Sequence, residues 1–121
     1  MTFSFHPEAE EEFVEAVAYY EDCDPGLGID FSREIYATIR NAVDYPTMWS
    51  EIEDDVRRCL VHRFPYGVLF SIEPDAIFIL AVMHLHRDPE YWKHRLGTGR
   101  TSTLRISSEG APSALPSESS P

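Results

Sequence analysis

Residues 56–85 read VRRCLVHRFPYGVLFSIEPDAIFILAVMHL and carry the strongest structural pattern in the chain. Three strand-forming runs, VRRCLVHRF, FPYGVLFSIE and AIFILAVMHL, follow one another through turn-prone links at Phe64-Pro65 and Glu73-Pro74-Asp75. Because such short links join antiparallel neighbours, the stretch predicts a meander of three strands. The third run is apolar from Ala76 to Met83, which is typical of a central strand buried on both faces.

Two amphipathic helices are predicted before these strands. The first runs from about Pro7 to Asp22, since proline is favoured at the first helical position and apolar residues recur at helical spacing. Its glutamates, including Glu12, are expected on the solvent side. The second helix follows the turn-rich segment CDPGLG and ends near Tyr45, because Pro46 disfavours helical geometry in the residue before it. The two helices are expected to form an antiparallel hairpin.

The remaining segments complete an α+β fold. Residues 2–5, TFSF, alternate as a short strand does, and the acidic SEIEDD of residues 50–55 is expected to be a loop. Asp88-Pro89-Glu90 combines a preferred N-cap, a preferred first helical residue and a favourable anion, so a short C-terminal helix is predicted there. From Gly97 onward, 16 of 25 residues are Ser, Thr, Pro or Gly. We therefore expect one domain over residues 1–96 and a disordered tail over residues 97–121.

Composition excludes several classes of protein. The formal net charge is −11, which argues against non-specific binding of nucleic acid by the whole surface. Cys23 and Cys59 form no CxxC pattern, so neither a zinc framework nor a disulfide scaffold is expected. No run of about 18 apolar residues and no secretory signal is present, which predicts a cytoplasmic protein.

The segment HLHRDPEYW, residues 84–92, concentrates the residues that carry chemistry. His84 and His86 are two apart on a strand end and share a face, as ligands of a metal do, but the spacing of a third ligand matches no known site. We expect no metal and no cofactor. The histidines are then either a solvent-facing pair or part of a surface that handles phosphate.

The phosphate alternative depends on basic residues of the neighbouring strand. Cleavage of RNA by its own 2′-hydroxyl needs a base, an acid and a cation for the developing charge, and imidazole and guanidinium groups supply these. One sheet face is expected to collect the basic residues of the first strand in the meander beside those at the end of the third: Arg57, Arg58, His62, Arg63, His84, His86 and Arg87.

In their order and motifs, residues 2–96 resemble the RelE/ParE superfamily of toxins from bacterial type II toxin-antitoxin modules, which include plasmid stabilisation proteins. The resemblance is sharpest in RFPYGVLFSI and AVMHLHRDPEYW. It implies a curved antiparallel sheet covered on one side by the helical hairpin. It also implies a cognate antitoxin, whose disordered segment folds on the toxin and neutralises it.

The resemblance also implies functional residues. Arg58 and Arg63 match basic positions of RelE-type nucleases, His86 and Arg87 fall near their last-strand site, and Tyr91 matches a C-terminal aromatic. These five residues are the candidate catalytic set. Gly67 stands where such nucleases carry an arginine, which is a departure from their pattern. For the antitoxin, we expect contact on the helical hairpin and on an open sheet face, with apolar anchors at Leu69, Tyr36 and Trp92.

Three functions follow from this resemblance. The chain is a ribosome-dependent mRNA endoribonuclease, a non-enzymatic inhibitor of DNA gyrase, or a degenerate member that binds its antitoxin and is not toxic. Fold alone does not choose among them. Whether the protein is an enzyme therefore depends on the geometry of the candidate catalytic set.

Overall fold

The computed structural model describes residues 2–53 and 55–97, which form two helices, five strands and one short 3-10 helix. The elements in chain order are β1 (Thr2–Phe5), α1 (Pro7–Cys23), α2 (Leu27–Asp44), β2 (Ser50–Glu53), β3 (Val56–Leu60), β4 (Tyr66–Ile72), β5 (Ala76–His84) and the 3-10 helix (Lys93–Gly97). The chain divides into two compact units, one ending at Pro89 and the other beginning at Glu90.

The sheet of the first unit has the strand order β1-β5-β4-β3-β2. Strands β2 to β5 pair in antiparallel fashion, whereas β1 runs parallel to β5. The predicted meander and the predicted central strand are confirmed, because β5 lies between β1 and β4 and is buried from Ile77 to Met83. Residues 50–53 are a strand rather than the expected loop, since Ser50 and Glu51 pair with Arg58 and Arg57.

Both predicted helices are present, and side chains cap their N-termini. Pro7 is the first residue of α1, and the Glu8 N–H donates to Nδ1 of His6 at 3.1 Å. The α2 N-terminus is capped from α1, because the Glu21 carboxylate accepts the N–H groups of Gly26 and Gly28 at 3.0 Å each. Gly26 adopts a φ of +91°, which glycine reaches without steric cost. These contacts fix the helical hairpin.

The hydrophobic core lies between the hairpin and one face of the sheet. Its buried members on the helices are Ala9, Phe13, Ala16, Phe31, Ile35, Ile39 and Ala42, and those on the sheet and its turns are Cys59, Val61, Phe64, Val68, Phe70, Ile77, Ile79 and Val82. Residues that alternate with these strand positions, including Leu69, Ser71 and Met83, are also buried. The expectation of an open face at Leu69 is therefore wrong.

The second unit differs from the predicted C-terminal helix. Residues 89–92 form turns, and helical geometry begins only at Lys93, where the Arg95 N–H donates to the Trp92 carbonyl at 2.9 Å. The predicted start at Asp88 is corrected to Lys93. The predicted tail, apart from Gly97, lies outside the described residues. Within residues 2–53 and 55–97, neither helix combines the length and the apolar character required to cross a bilayer.

Candidate functional site

The carboxylate of Glu12 joins α1 to the end of β5. Its Oε1 accepts the Val82 N–H at 3.0 Å, and its Oε2 lies 3.7 Å from Nη1 of Arg87. Strand β1 covers β5 only as far as Ile79, so the Val82 N–H lies on an edge without a strand partner. The expectation that Glu12 faces solvent is wrong, because its side chain is only 13% exposed.

The side-chain rings of Tyr66, His84 and His86 are neighbours in space at this end of the sheet. The rings of Tyr66 and His84 have centroids 5.1 Å apart, as do those of His84 and His86. The His86 N–H donates to Nδ1 of His84 at 3.1 Å, so the neutral His84 ring carries its proton on Nε2. Burial raises the pKa of Tyr66, which therefore remains a neutral phenol at physiological pH. The exposed His86 is the outermost group of the series.

An open depression lies between α1 and this end of the sheet. It is lined by Glu12, Glu15, Ala16, Tyr19, Tyr66, Val82, His84 and Arg87. The charge of Arg87 is offset by Glu12 inside the depression, and Glu15 adds a second carboxylate. Such a lining does not favour a phosphate dianion, which needs uncompensated positive charge. The depression combines hydrogen-bonding groups with aromatic edges rather than forming an anion site.

Arg58 lies on the opposite face of the sheet from His84. It pairs with Leu69, and both alternate with the core residues Cys59 and Val68, whereas His84 lies on the same face as Val82. Its aliphatic stem crosses Gly67, because a Cβ added to Gly67 would lie 3.2 Å from both Cγ and Cδ of Arg58. The prediction that one face collects these arginines and imidazoles is wrong for Arg58, since neighbouring strand residues point to opposite faces.

Arg63 is not on a strand. Strand β3 ends at Leu60, and Arg63 has a φ of +75°, which directs the chain into the turn before β4. Its Nη1 lies 3.7 Å from the carboxylate of Asp30 at the start of α2, and its guanidinium lies 5.3 Å from the Phe64 ring centroid. The expected strand position of Arg63 is corrected to a turn that is tied to α2.

The second unit holds the other two aromatic candidates. The Arg95 guanidinium lies 5.0 Å from the Tyr91 ring centroid, and Nδ1 of His94 lies 3.0 Å from the Tyr91 carbonyl. Trp92 is buried. Like Leu69, it therefore does not present the exposed apolar surface that an anchor for a partner requires. Tyr36 is 47% exposed on α2 and remains the one exposed residue of the predicted anchors.

The candidate catalytic set is therefore only partly brought together. His86 and Arg87 lie at the end of β5 with His84, Arg63 is paired at the edge of α2, and Arg58 is on the far face. Among residues 2–53 and 55–97, no three His, Cys, Asp or Glu side chains are grouped as metal ligands. Sequence reasoning missed Glu12, since helical periodicity assigns it to the polar face and contains no sign of a contact 70 residues away.

Comparisons with known proteins agree with this architecture. No curated protein matches the sequence. One solved structure, described as a chromosomal ParDE TA system from P. aeruginosa, superimposes with a TM-score of 0.62 at 16% identity, covering 70% of this chain and 96% of that chain. The similarity supports the fold. The model of the family described as "ParE toxin of type II toxin-antitoxin system, parDE" matches residues 3–89. Since this match spans well over half of the 121 residues, the chain belongs to the ParE toxin family of type II toxin-antitoxin systems.

Proposed function

We propose that the chain arrests growth by inhibiting DNA gyrase in the cytoplasm, without catalysing a reaction, and that a cognate antitoxin neutralises it. The observation that supports this proposal is the separation of the basic residues. A nuclease needs base, acid and cation around one phosphate, but Arg58 and His84 lie on opposite faces of the sheet. A binding epitope has no such requirement.

The charge of the paired arginines supports the same proposal. Arg63 and Arg87 each lie 3.7 Å from a carboxylate, so neither presents an uncompensated charge to a phosphate. Membership of the ParE family favours gyrase over the ribosome, since ParE-type members are the gyrase inhibitors of the superfamily. His86 and Arg87 then contribute contacts rather than proton transfer.

A supercoiling assay with purified gyrase tests the proposal. We expect the wild-type protein to reduce supercoiling and to trap DNA breaks at micromolar concentration. His86→Gln removes the imidazole and keeps a hydrogen-bonding side chain of similar length, so this variant should inhibit gyrase almost as well as wild type. Unchanged supercoiling with the wild-type protein contradicts the proposal.

A second candidate, ribosome-dependent cleavage of mRNA, is favoured by one observation. His84 and His86 lie 5.1 Å apart beside Arg87, which places two imidazoles and a guanidinium at the same end of β5. In a translating extract, this function predicts codon-dependent cleavage that His86→Gln abolishes. Intact message excludes it.

Induction in cells that lack the antitoxin tests the third function, a degenerate member that binds its antitoxin without toxicity. Growth arrest on induction excludes that function. Unimpaired growth of cells that accumulate folded protein contradicts both toxic functions.

A further inference from the structure

One face of α1 forms a wall of the depression between α1 and β5. Its residues Glu12, Glu15, Ala16 and Tyr19 are spaced i, i+3, i+4 and i+7, so they lie on the same side of the helix. This wall presents two carboxylates beside a phenol. Arg87 supplies the only guanidinium of the lining, which therefore carries one net negative charge when its histidine is neutral.

The two carboxylates of the depression differ in what they contact. Glu12 is only 13% exposed, and its oxygens are engaged by the Val82 N–H and by the Arg87 guanidinium. Glu15 is exposed, and within residues 2–53 and 55–97 its carboxylate has no ion-pair partner. The net negative charge of the depression is therefore located on Glu15, where a group from outside the chain can reach it.

Aromatic rings adjoin this carboxylate in a continuous row. Consecutive ring centroids are 5.2 Å apart for Tyr19 and Tyr20, 6.2 Å for Tyr20 and Tyr66, and 5.1 Å for Tyr66 and His84. Tyr19 follows Glu15 by four residues on α1 and is 62% exposed, so its ring lies beside the carboxylate on the surface. Exposed aromatic faces next to an unpaired carboxylate are the combination that attracts a cation.

The surroundings of the Tyr66 phenol agree with this polarity. Burial is the largest cause of its raised pKa, and Tyr20, Tyr19 and Glu12 raise the pKa as well, whereas Arg87 lowers it. The guanidinium of Arg87 therefore does not reverse the effect of the carboxylate at this ring. In the part of the chain that the structure describes, no arginine or lysine lies over the ring of Tyr19 or Tyr66.

The size of the depression suits the end of a side chain. Its volume is about 190 Å³, and a protein cavity of about 150 Å³ is large enough to hold a benzene molecule. A guanidinium group is planar and smaller than benzene. It can stack on an aromatic face and at the same time donate two hydrogen bonds to one carboxylate, which an ammonium group cannot do.

We propose that the depression between α1 and β5 binds the guanidinium group of an arginine side chain of gyrase, which pairs with Glu15 and stacks on Tyr19. The location supports gyrase as the source, because Arg87 lines the depression and His86 adjoins His84 of its lining. Both residues belong to the epitope proposed above for gyrase. The inference rests on that proposed function and deepens it by giving the chemical group that the toxin recognises.

The first experiment compares variants of the full-length protein in the supercoiling assay with purified gyrase. Glu15→Gln should raise the concentration needed for half-maximal inhibition by about three- to fivefold, and the difference should shrink at high salt. Glu11→Gln removes the same charge from an exposed residue of α1 outside the depression and should inhibit as wild type does. Tyr19→Leu should weaken inhibition by about threefold, whereas Tyr19→Phe keeps the ring and should not.

The second experiment measures recognition of the guanidinium group directly. The probes are a blocked Gly-Arg-Gly peptide and the same peptide with citrulline, which keeps the shape of arginine and lacks its charge. At millimolar concentration the arginine peptide should shift the NMR resonances of Glu15, Tyr19 and the Val82 amide. The citrulline peptide should not shift them, and neither peptide should do so in Glu15→Gln. Equal shifts with both peptides overturn the proposal.

The remaining outcomes separate this proposal from the proposed function. Equal potency of wild type, Glu15→Gln and Tyr19→Leu against gyrase overturns the proposal alone, and so does an equal loss in Glu15→Gln and Glu11→Gln. Unaltered supercoiling with the wild-type protein contradicts the proposed function itself. If Glu15→Gln inhibits gyrase normally but binds the product of the neighbouring open reading frame more weakly, the depression belongs to the antitoxin and the proposal is overturned.

Discussion

The stem of Arg58 occupies the space that a side chain at Gly67 would need. A Cβ built on Gly67 lies 3.2 Å from both Cγ and Cδ of Arg58, and 3.5 Å from Cδ2 of Leu85. The glycine at this position of β4 is therefore explained by its neighbour on β3. The same contact holds Arg58 against the sheet, on the face opposite the imidazole pair.

We expect Gly67→Leu to destabilise the protein by about 1 to 3 kcal/mol, because a larger side chain cannot fit without displacing Arg58. Chemical denaturation of the variant measures this loss. In an Arg58→Ala background the Cγ and Cδ atoms are gone, so the same substitution should have a much smaller effect. Equal losses of unfolding free energy in both backgrounds would show that Arg58 is not the cause.

Glu12→Ala should destabilise the protein by about 1 to 3 kcal/mol, because it leaves the N–H of the buried Val82 without its acceptor. Glu12→Gln keeps an oxygen for that N–H and loses the ion pair with Arg87. Since the Arg87 side chain is 53% exposed, the ion pair contributes at most about 1 kcal/mol. Thermal denaturation distinguishes the two. Glu15→Ala, which changes an exposed glutamate of the same helix, is the control. An equal loss of stability in Glu15→Ala would contradict a stabilising role for the hydrogen bond between Glu12 and Val82.

The elements of this fold could be predicted from the sequence because their patterns are local. The apolar run of β5 and the helical spacing in α1 both depend on neighbouring residues, and both predictions are confirmed. The face on which Arg58 lies follows from the alternation of β3, which the expected basic face overlooked. The position of Arg63 could not be predicted in the same way. A strand was expected to continue to Arg63, but the positive φ of that residue ends it and moves the guanidinium to Asp30.

The candidate site was predicted less well, since it depends on contacts between distant segments. His86 and Arg87 were identified from residue type and lie together at the end of β5, but their roles stay predictions. Glu12 contacts Val82, which is 70 residues away, and helical periodicity places such a residue among solvated glutamates. Strand β1 ends at Phe5 and therefore leaves the Val82 N–H of β5 without a strand partner. The Glu12 carboxylate accepts this N–H instead.

The two cysteines should differ in reactivity. Burial raises the pKa of the Cys59 thiol to about 11, whereas Cys23 is exposed. Since the thiolate is the reactive form, a disulfide reagent at neutral pH should modify Cys23 rapidly and Cys59 only after unfolding. The pKa of the Cys59 thiol in the folded protein exceeds its ordinary value of 9.0, so the contribution of this thiol to stability is complete below about pH 9. That contribution is lost as the pH rises through about 11. Two rapidly reacting thiols in the folded protein would refute this.

Gly28→Ala should destabilise the helical hairpin, because there is no room for a methyl group at this position. An added Cβ would lie 2.7 Å from the carbonyl oxygen of Val17 and 2.9 Å from Cβ of Glu21. Since the Val17 oxygen is a backbone atom, the two helices must separate to make room for the methyl group. We expect the free energy of unfolding to fall by about 1 to 3 kcal/mol, as measured by thermal denaturation. Separation would also weaken the cap, because Glu21 accepts the Gly26 and Gly28 N–H groups.

Glu21→Ala isolates the contribution of the cap from that of the close helix approach. This substitution removes the carboxylate and keeps Gly28, so we expect the free energy of unfolding to fall by about 0.5 to 2 kcal/mol. Combining the two substitutions should cost less than the sum of the single effects, because Gly28→Ala already disturbs the geometry that the cap requires. Strictly additive losses would show that the cap and the close approach of Gly28 to Val17 stabilise the hairpin independently.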